Sequence, residues 1–279
     1  MISRRSFLRA TLLASGVGAG AGFYTFQCEP HWLEVAERAL PIKRLPEQLR
    51  GRRLVQLSDL HVGPSVDDSY LRRTFELVKN LQADVIVYTG DFTSYDANGL
   101  AHAHQIFPDL PLGRRATFGI LGNHDYGPAW SHPEIADGIA GLLVAAGIRI
   151  LRNEIAEVDG LQIAGLDDLW AGRFEPLPVL GALDPQKASV ILSHNPDTAD
   201  HPVWGDYDGW ILAGHTHGGQ CKPPFLPPPL LPVRNRRYTS GEFALAGGRR
   251  MYINRGVGHL LRVRFNARPE VTLFHLEQA

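Results

Sequence analysis

Seven side chains of metal-ligand type recur in five short blocks: Asp59 and His61 in SDLH, Asp91 in GDF, Asn123 in GNHD, His194 in SHNPD, and His215 and His217 in GHTHGG. Carboxylate, imidazole and amide oxygen together suit borderline-hard divalent cations. The only thiols are Cys28 and Cys221, which argues against a structural zinc or an iron–sulfur centre. The chemistry this set predicts is hydrolysis at a metal pair. Two divalent ions about 3.5–4 Å apart acidify a water between them, so a bridging hydroxide becomes available near neutral pH. Taken alone, an Asp or His after a strand is usually a turn or cap residue; the ordered set carries the argument.

Four of the five blocks follow an apolar, β-branched run, placing their polar residues just past the carboxyl end of a strand, where open α/β sheets bind ligands. Strands are predicted at Arg53–Leu57, Asp84–Thr89, Ala116–Leu121, Ala188–Leu192 and Trp210–Ala213. Helices are predicted at Asp68–Asn80, with Leu71, Phe75 and Val78 at helical spacing, and at Pro133–Ala146. Short strands follow at Ile148–Leu151, Ile155–Val158 and Leu161–Leu166, the last two joined by the turn signal Asp159-Gly160. A return hairpin of Arg250–Asn254, Leu261–Phe265 and Val271–His275 closes the chain. Residues two apart on a strand share a face, so Asp59 and His61 would reach one ion as their strand ends, and Gly214, Gly218 and Gly219 would bend the loop that aims His215 and His217. Early α/β alternation followed by strand-rich pairs points to two packed sheets with helices outside.

The series DxH, GD, GNH(D), H and GHxH, in this order from Asp59 to His217, resembles the calcineurin-like metallophosphoesterase superfamily over roughly residues 50 to 275. The resemblance implies a four-layer α-β-β-α sandwich with two mixed β-sheets. It also implies that Asp59, His61 and His217 hold one ion, that Asn123, His194 and His215 hold the other, and that Asp91 bridges both. His124 would donate a hydrogen bond to the phosphate or protonate the leaving oxygen, with Asp125 orienting its ring. The cofactors would be two divalent ions, Mn, Fe or Zn, with Mg admissible.

The opening SRRSFLRA and the glycine- and alanine-rich run from Ala10 to about Phe26 resemble a twin-arginine export signal. A plain signal anchor, with Arg4, Arg5 and Arg9 as positive-inside charges, is the alternative. Either sends the remainder out of the cytoplasm, to the periplasm or the outer face of the membrane. This reading divides the chain into a signal or anchor (1–28), a polar, proline-punctuated connector with one short helix (29–50), and a phosphoesterase domain (51–279). The 44% hydrophobic content is ordinary for a packed core. Formal charge is −1; without the three leader arginines, 25 basic residues face 29 acidic ones, giving −4. No nucleic-acid-binding surface is evident, and a monomer is expected.

Two segments admit two readings each. The stretch CKPPFLPPPLLPVRNRRY is either a stiff surface loop whose Phe225, Leu226, Leu230 and Leu231 pack back on the sandwich, or an apolar rim beside the metals, backed by Arg234, Arg236 and Arg237 and able to meet an acyl chain and phosphate. Arg249, Arg250, Arg255, Arg262, Arg264 and Arg268 either attract phosphate or line a solvated strand face. The expected activity is hydrolysis of a phosphodiester or pyrophosphate bond. The substrate class put first is a lipid- or nucleotide-linked envelope precursor, since some similar proteins cleave a UDP-linked lipid A precursor, UDP-2,3-diacylglucosamine. Expected partners are that substrate, the membrane surface and the twin-arginine export machinery. The rivals are a phosphomonoesterase and a non-catalytic metal-binding scaffold on the same fold, against which His124 and the full ligand set argue.

Overall fold

The computed structural model describes residues 4–94 and 99–279; Ser3, which opens the segment expected to be a twin-arginine signal, lies outside them. Five α-helices are described: α1 (Arg4–Phe23), α2 (Asp68–Asn80), α3 (Gly99–Ile106), α4 (Pro133–Ala145) and α5 (Pro176–Ala182). Strands run in chain order as β1 (Glu34–Ile42), β2 (Arg53–Leu57), β3 (Val85–Thr89), β4 (Ala116–Ile120), β5 (Arg149–Ile150), β6 (Glu154–Val158), β7 (Leu161–Gly165), β8 (Ala188–Leu192), β9 (Trp210–Ala213), β10 (Gly241–Ala244), β11 (Arg250–Ile253) and β12 (Glu270–Gln278). They form two six-stranded mixed sheets, ordered β1-β12-β2-β3-β4-β5 and β10-β11-β9-β8-β7-β6.

Strand alternation builds the layers. In β3, Val85 and Val87 join Phe118 and Ile120 against Ile163, Val190, Leu192 and Leu212 of the other sheet. Ile86 and Tyr88, on the opposite face, pack with Leu71, Phe75 and Val78 of α2 and with Ala136, Ile139 and Leu143 of α4. The outer face of the second sheet, with Ile191, Ile211, Ala213 and Met251, is covered by Val179 of α5 and by Trp204. The expected α-β-β-α sandwich is therefore present, with its second helical layer reduced to one short helix and loops.

Two predicted elements differ. The connector contains β1, which runs parallel to β12 from Glu34 opposite Glu270 to Ile42 opposite Gln278. As an edge strand it buries only Ala36, Leu40 and Ile42 and tolerates Pro41, so its composition resembles a tether. The closing hairpin is absent, because β11 belongs to the second sheet and β12 to the first. Leu261–Phe265 is not a strand, although its alternation reads as one. The pattern is inverted there: Leu261 is 68% exposed while Arg264 is wholly buried. The Arg264 guanidinium donates to the carbonyls of Arg255, Gly256, Gly258 and Ala267, replacing a ladder with side-chain hydrogen bonds.

Candidate functional site

All five blocks sit at carboxyl ends of strands: Asp59 and His61 after β2, Asp91 after β3, Asn123 after β4, His194 after β8, and His215 and His217 after β9. The loops do not continue the strands. Asp59, His61, Asp91, His215 and His217 all have positive φ, between 50° and 71°, a region unfavourable for residues with a Cβ. Face-sharing along a strand is thus not what brings Asp59 and His61 together; each residue turns the chain itself. The two histidines of GHTHGG do the same, so the bending expected of glycine neighbours is shared by the ligand residues. Gly90 has a different task. A Cβ there would lie 2.7 Å from both Gly122 N and His194 Nδ1, so only glycine lets these three loops meet.

The structure gathers the predicted residues into two groups able to hold a metal, Asp59/His61/His217 and Asp91/His194/His215. In the first, His61 Nε2 lies 3.1 Å from His217 Nε2, and His217 Nε2 lies 3.3 Å from Asp59 Oδ1. In the second, His194 Nε2 lies 3.1 Å from His215 Nδ1 and 3.2 Å from Asp91 Oδ2. The same Asp91 oxygen is 3.7 Å from His61 Nε2, so one carboxylate faces both groups. Asn123 is fully buried, and neither its amide oxygen nor its nitrogen has a protein partner.

This donor set fits cations. His194 donates through Nδ1 to the Thr89 carbonyl at 2.7 Å, and His215 donates through Nε2 to the Pro232 carbonyl at 2.8 Å. In the neutral imidazole each bond fixes the tautomer that leaves the other nitrogen free to ligate, and for His194 this requires loss of the proton that Asp91 stabilises. Burial holds the His61 and His215 imidazoles neutral, at about 3, and pushes His217 well below its ordinary value. Burial raises Asp59 to about 6, with Asp91 adding to the effect. Burial would also raise Asp91, but His194 and His124 beside it hold its carboxyl well below the usual range. Conversely, burial would lower His194, and the Asp91 carboxylate overrides it, lifting the imidazole to about 10.

His124 lines the cavity beside this centre, with its ring 5.2 Å edge-on from that of His61. Its backbone N–H donates to Asp91 Oδ1 at 2.9 Å. Asp125 does not orient the His124 ring. Its carboxylate accepts from the N–H groups of Gly122, Phe92 and Thr93 and from the Thr93 hydroxyl, clamping the Asp91 loop to the Asn123 loop. Burial, with Asp91 nearby, raises Asp125 to about 7.

Sequence reasoning missed Asp168. It is buried, its Oδ1 accepts from Ala171 N at 2.8 Å, and its Oδ2 has no partner. Burial raises it to about 6, opposed by His194, which places it within the field of the second group. The signal was available: Asp167-Asp168 follows an apolar strand, β7, as the other blocks do.

The cavity over the site, about 380 Å³, is lined by Asp91, His124, His215 and His217 on one side and by Leu230, Leu231, Leu260, Leu261 and Val263 on another. Of the proline-rich segment Pro228 and Leu231 pack inward, whereas Phe225 is 104%, Leu226 62% and Leu230 78% exposed. The packed-back reading fails for these three. Arg236 is spent on the Pro228 carbonyl at 2.6 Å. The C-terminal arginines serve the scaffold: Arg255 pairs with Glu270 and Glu34, Arg250 with Glu242, and Arg262 with Asp67, while Arg268 stacks on Trp32 and Arg249 on Trp204.

Residues 52–219 match the family profile described as calcineurin-like phosphoesterase. The chain is 34% identical over 285 residues to the phosphodiesterase YaeI of Escherichia coli (strain K12), covering 99% of this chain and 100% of that one. It is 33% identical to the metallophosphoesterase YkuE of Bacillus subtilis (strain 168), covering 99% and 98%. It is 29% identical to the UDP-2,3-diacylglucosamine pyrophosphatase LpxG of Chlamydia trachomatis (serovar D), covering 88% and 89%. Among solved structures, Haemophilus influenzae NAD nucleotidase is similar in fold, with a TM-score of 0.50 at 17% identity, over 74% of this chain and 45% of that one. The chain belongs to the calcineurin-like phosphoesterases, a family of hydrolases dependent on a binuclear metal centre.

Proposed function

We propose that this enzyme hydrolyses a phosphodiester or pyrophosphate bond in a substrate with an apolar arm, at the outer face of the membrane. The carrying observation is the cavity that joins Asp91, His124, His215 and His217 to the exposed leucines of the rim. A protein phosphate or a free phosphomonoester has no use for that wall. The relatives described as a phosphodiesterase and as a pyrophosphatase for a diacylated nucleotide sugar support the same reading.

Two divalent ions, when bound, supply Lewis acidity and lower the pKa of water. Asp59, His61 and His217 would hold one, Asn123, His194 and His215 the other, and Asp91 would serve both. His124 is the imidazole within reach of the cavity that carries no ligand duty, and it delivers a proton to the leaving oxygen.

The N-terminal segment supports membrane association. Thr25 accepts from Arg264 N at 3.0 Å, and Glu29 Oε1 from Ala267 N at 2.6 Å, so the end of the leader is docked on the segment that also carries Leu260, Leu261 and Val263. Along α1, Leu12, Leu13, Val17 and Phe23 are exposed. Among the described residues, no helix is long and apolar enough to cross a membrane; the exposed apolar residues of α1 support a place at the membrane interface, after export through the twin-arginine route. The test is hydrolysis by Mn-loaded protein of a diacylated pyrophosphate ester, bis(p-nitrophenyl) phosphate and a phosphoserine peptide. The acylated ester should be turned over best, and Leu230→Ser/Leu261→Ser should remove that preference. Preference for the phosphopeptide overturns the proposal.

A further inference from the structure

A second cavity, about 640 Å³, adjoins the first. Trp170 lines both, and its indole stands edge-on to His215 with centroids 4.4 Å apart. One aromatic side chain is therefore the wall between the candidate metal centre and this second space. Trp130 stacks on Trp170 at 4.6 Å, with 34° between the ring planes. The backbone holds Trp130 there at φ 57°, directly after Ala129 at φ 49°. Two successive non-glycine residues in the left-handed region are unfavourable, and such outliers gather at binding sites.

The polar lining separates into used and free groups. Asp197 accepts from the backbone N–H groups of Arg234 and Asn235, and Asp200 from the Asn235 amide and the Tyr238 hydroxyl. The Arg234 guanidinium is exposed and, among the described residues, has no hydrogen-bond or ion-pair partner. The free chemistry of the cavity is thus a pair of indoles, the His201 imidazole, which meets only the Phe174 ring edge-on, and a cation suited to an oxygen acceptor.

We propose that this cavity is the subsite for a ring-bearing group on the second arm of the substrate. A flat ring face, that of a nucleobase or a pyranose, lies against the Trp130–Trp170 pair while Arg234 meets a ring substituent or phosphate oxygen. This rests on the proposed function and narrows it: the apolar arm leaves the reacting phosphorus along Leu230 and Leu261, and the ring arm leaves it past Trp170.

The test is equilibrium binding to the full Mn-loaded chain, by calorimetry and indole fluorescence. The probes are uridine 5′-monophosphate, glucose 1-phosphate and the ringless glycerol 3-phosphate. At least one ring phosphate should bind ten-fold or more tightly than glycerol 3-phosphate and quench fluorescence; the tighter of the two names the ring. Trp130→Ala should erase the preference, Trp130→Phe should restore most of it, and Arg234→Ala should weaken the ring ligands several-fold. Glycerol 3-phosphate binding as tightly as both ring phosphates overturns the subsite. So does Trp130→Ala weakening all three probes by one factor, or Trp130→Phe behaving like Trp130→Ala, since Trp130 would then be structural. The reading involves no turnover: loss of the ring preference with diester hydrolysis intact sinks the subsite alone, whereas absent hydrolysis with the preference intact sinks the catalytic reading.

Discussion

Asp91→Asn isolates charge from shape. Asn retains an Oδ1 acceptor for the His124 N–H that now donates at 2.9 Å, so the loop is kept while one negative charge leaves the space between the two groups. Asp91 Oδ2 lies 3.2 Å from His194 Nε2 and 3.7 Å from His61 Nε2, so this carboxylate would serve an ion held by either group. At an effective permittivity near 20, unit charges 4 Å apart interact by about 4 kcal/mol. For a divalent cation this is a lower bound, so its affinity should weaken by at least about a thousandfold. Asp59→Asn is the contrast, because Asp59 belongs to the first group alone. Metal content after dialysis, measured by mass spectrometry, should fall toward zero ions per chain for Asp91→Asn and toward one for Asp59→Asn. Hydrolysis of bis(p-nitrophenyl) phosphate should disappear in Asp91→Asn. A variant that keeps two ions and wild-type turnover would refute the bridging assignment and the charge argument with it.

Other perturbations separate the remaining roles. His124→Ala should retain both metals yet lose about 10²–10⁴-fold in turnover on esters with poor leaving groups, and less with p-nitrophenolate, which needs little protonation; an equal loss on both would mean that His124 only positions phosphate. Arg264→Met strands the carbonyls of Arg255, Gly258 and Ala267, while that of Gly256 keeps the Glu270 N–H. At about 1–3 kcal/mol per stranded acceptor it should cost at least about 3 kcal/mol in denaturant unfolding, and a loss under about 1 kcal/mol would refute the account of that loop. Burial, with Arg264 beside it, lowers His259 from 6.5 to about 4. Between these values the unfolded chain takes up a proton that the folded one refuses, so this contribution is whole above pH 6.5 and is lost as pH falls toward 4, by about 3 kcal/mol. His259→Gln should flatten the fall in unfolding free energy between pH 6.5 and 4.5 by a comparable amount; an unchanged slope would count against it.

Much of the fold was legible because its buried strands announce themselves. Ala188–Leu192 and Trp210–Ala213 fall where the apolar runs place them, and Asp159-Gly160 forms the expected turn between antiparallel β6 and β7. What escaped depends on partners remote in sequence. Strand β1 is recognisable only through β12, more than two hundred residues away, because a half-exposed edge strand needs few apolar residues. Leu261–Phe265 misled for the opposite reason: its alternation is real, but the guanidinium of Arg264 is buried and the leucine faces the cavity.

The ligand residues were legible by type and order, whereas the way they converge was not. A run of strand followed by Asp-Leu-His predicts side chains fanned along one face. Positive φ at Asp59, His61, Asp91, His215 and His217 instead folds each loop back on itself. That conformation brings His61 Nε2 to 3.1 Å from His217 Nε2 and His194 Nε2 to 3.1 Å from His215 Nδ1. Such strain persists only where the surroundings over-determine it. Here they do: Asp59 N donates to Gly90 O and His61 N to Asp91 O, the Asp59 carboxylate accepts from His215 N, and Asp125 ties the third loop to the second. The loops are bonded directly to one another, so hydrogen bonds between residues distant from one another in sequence fix how the donors of both groups converge.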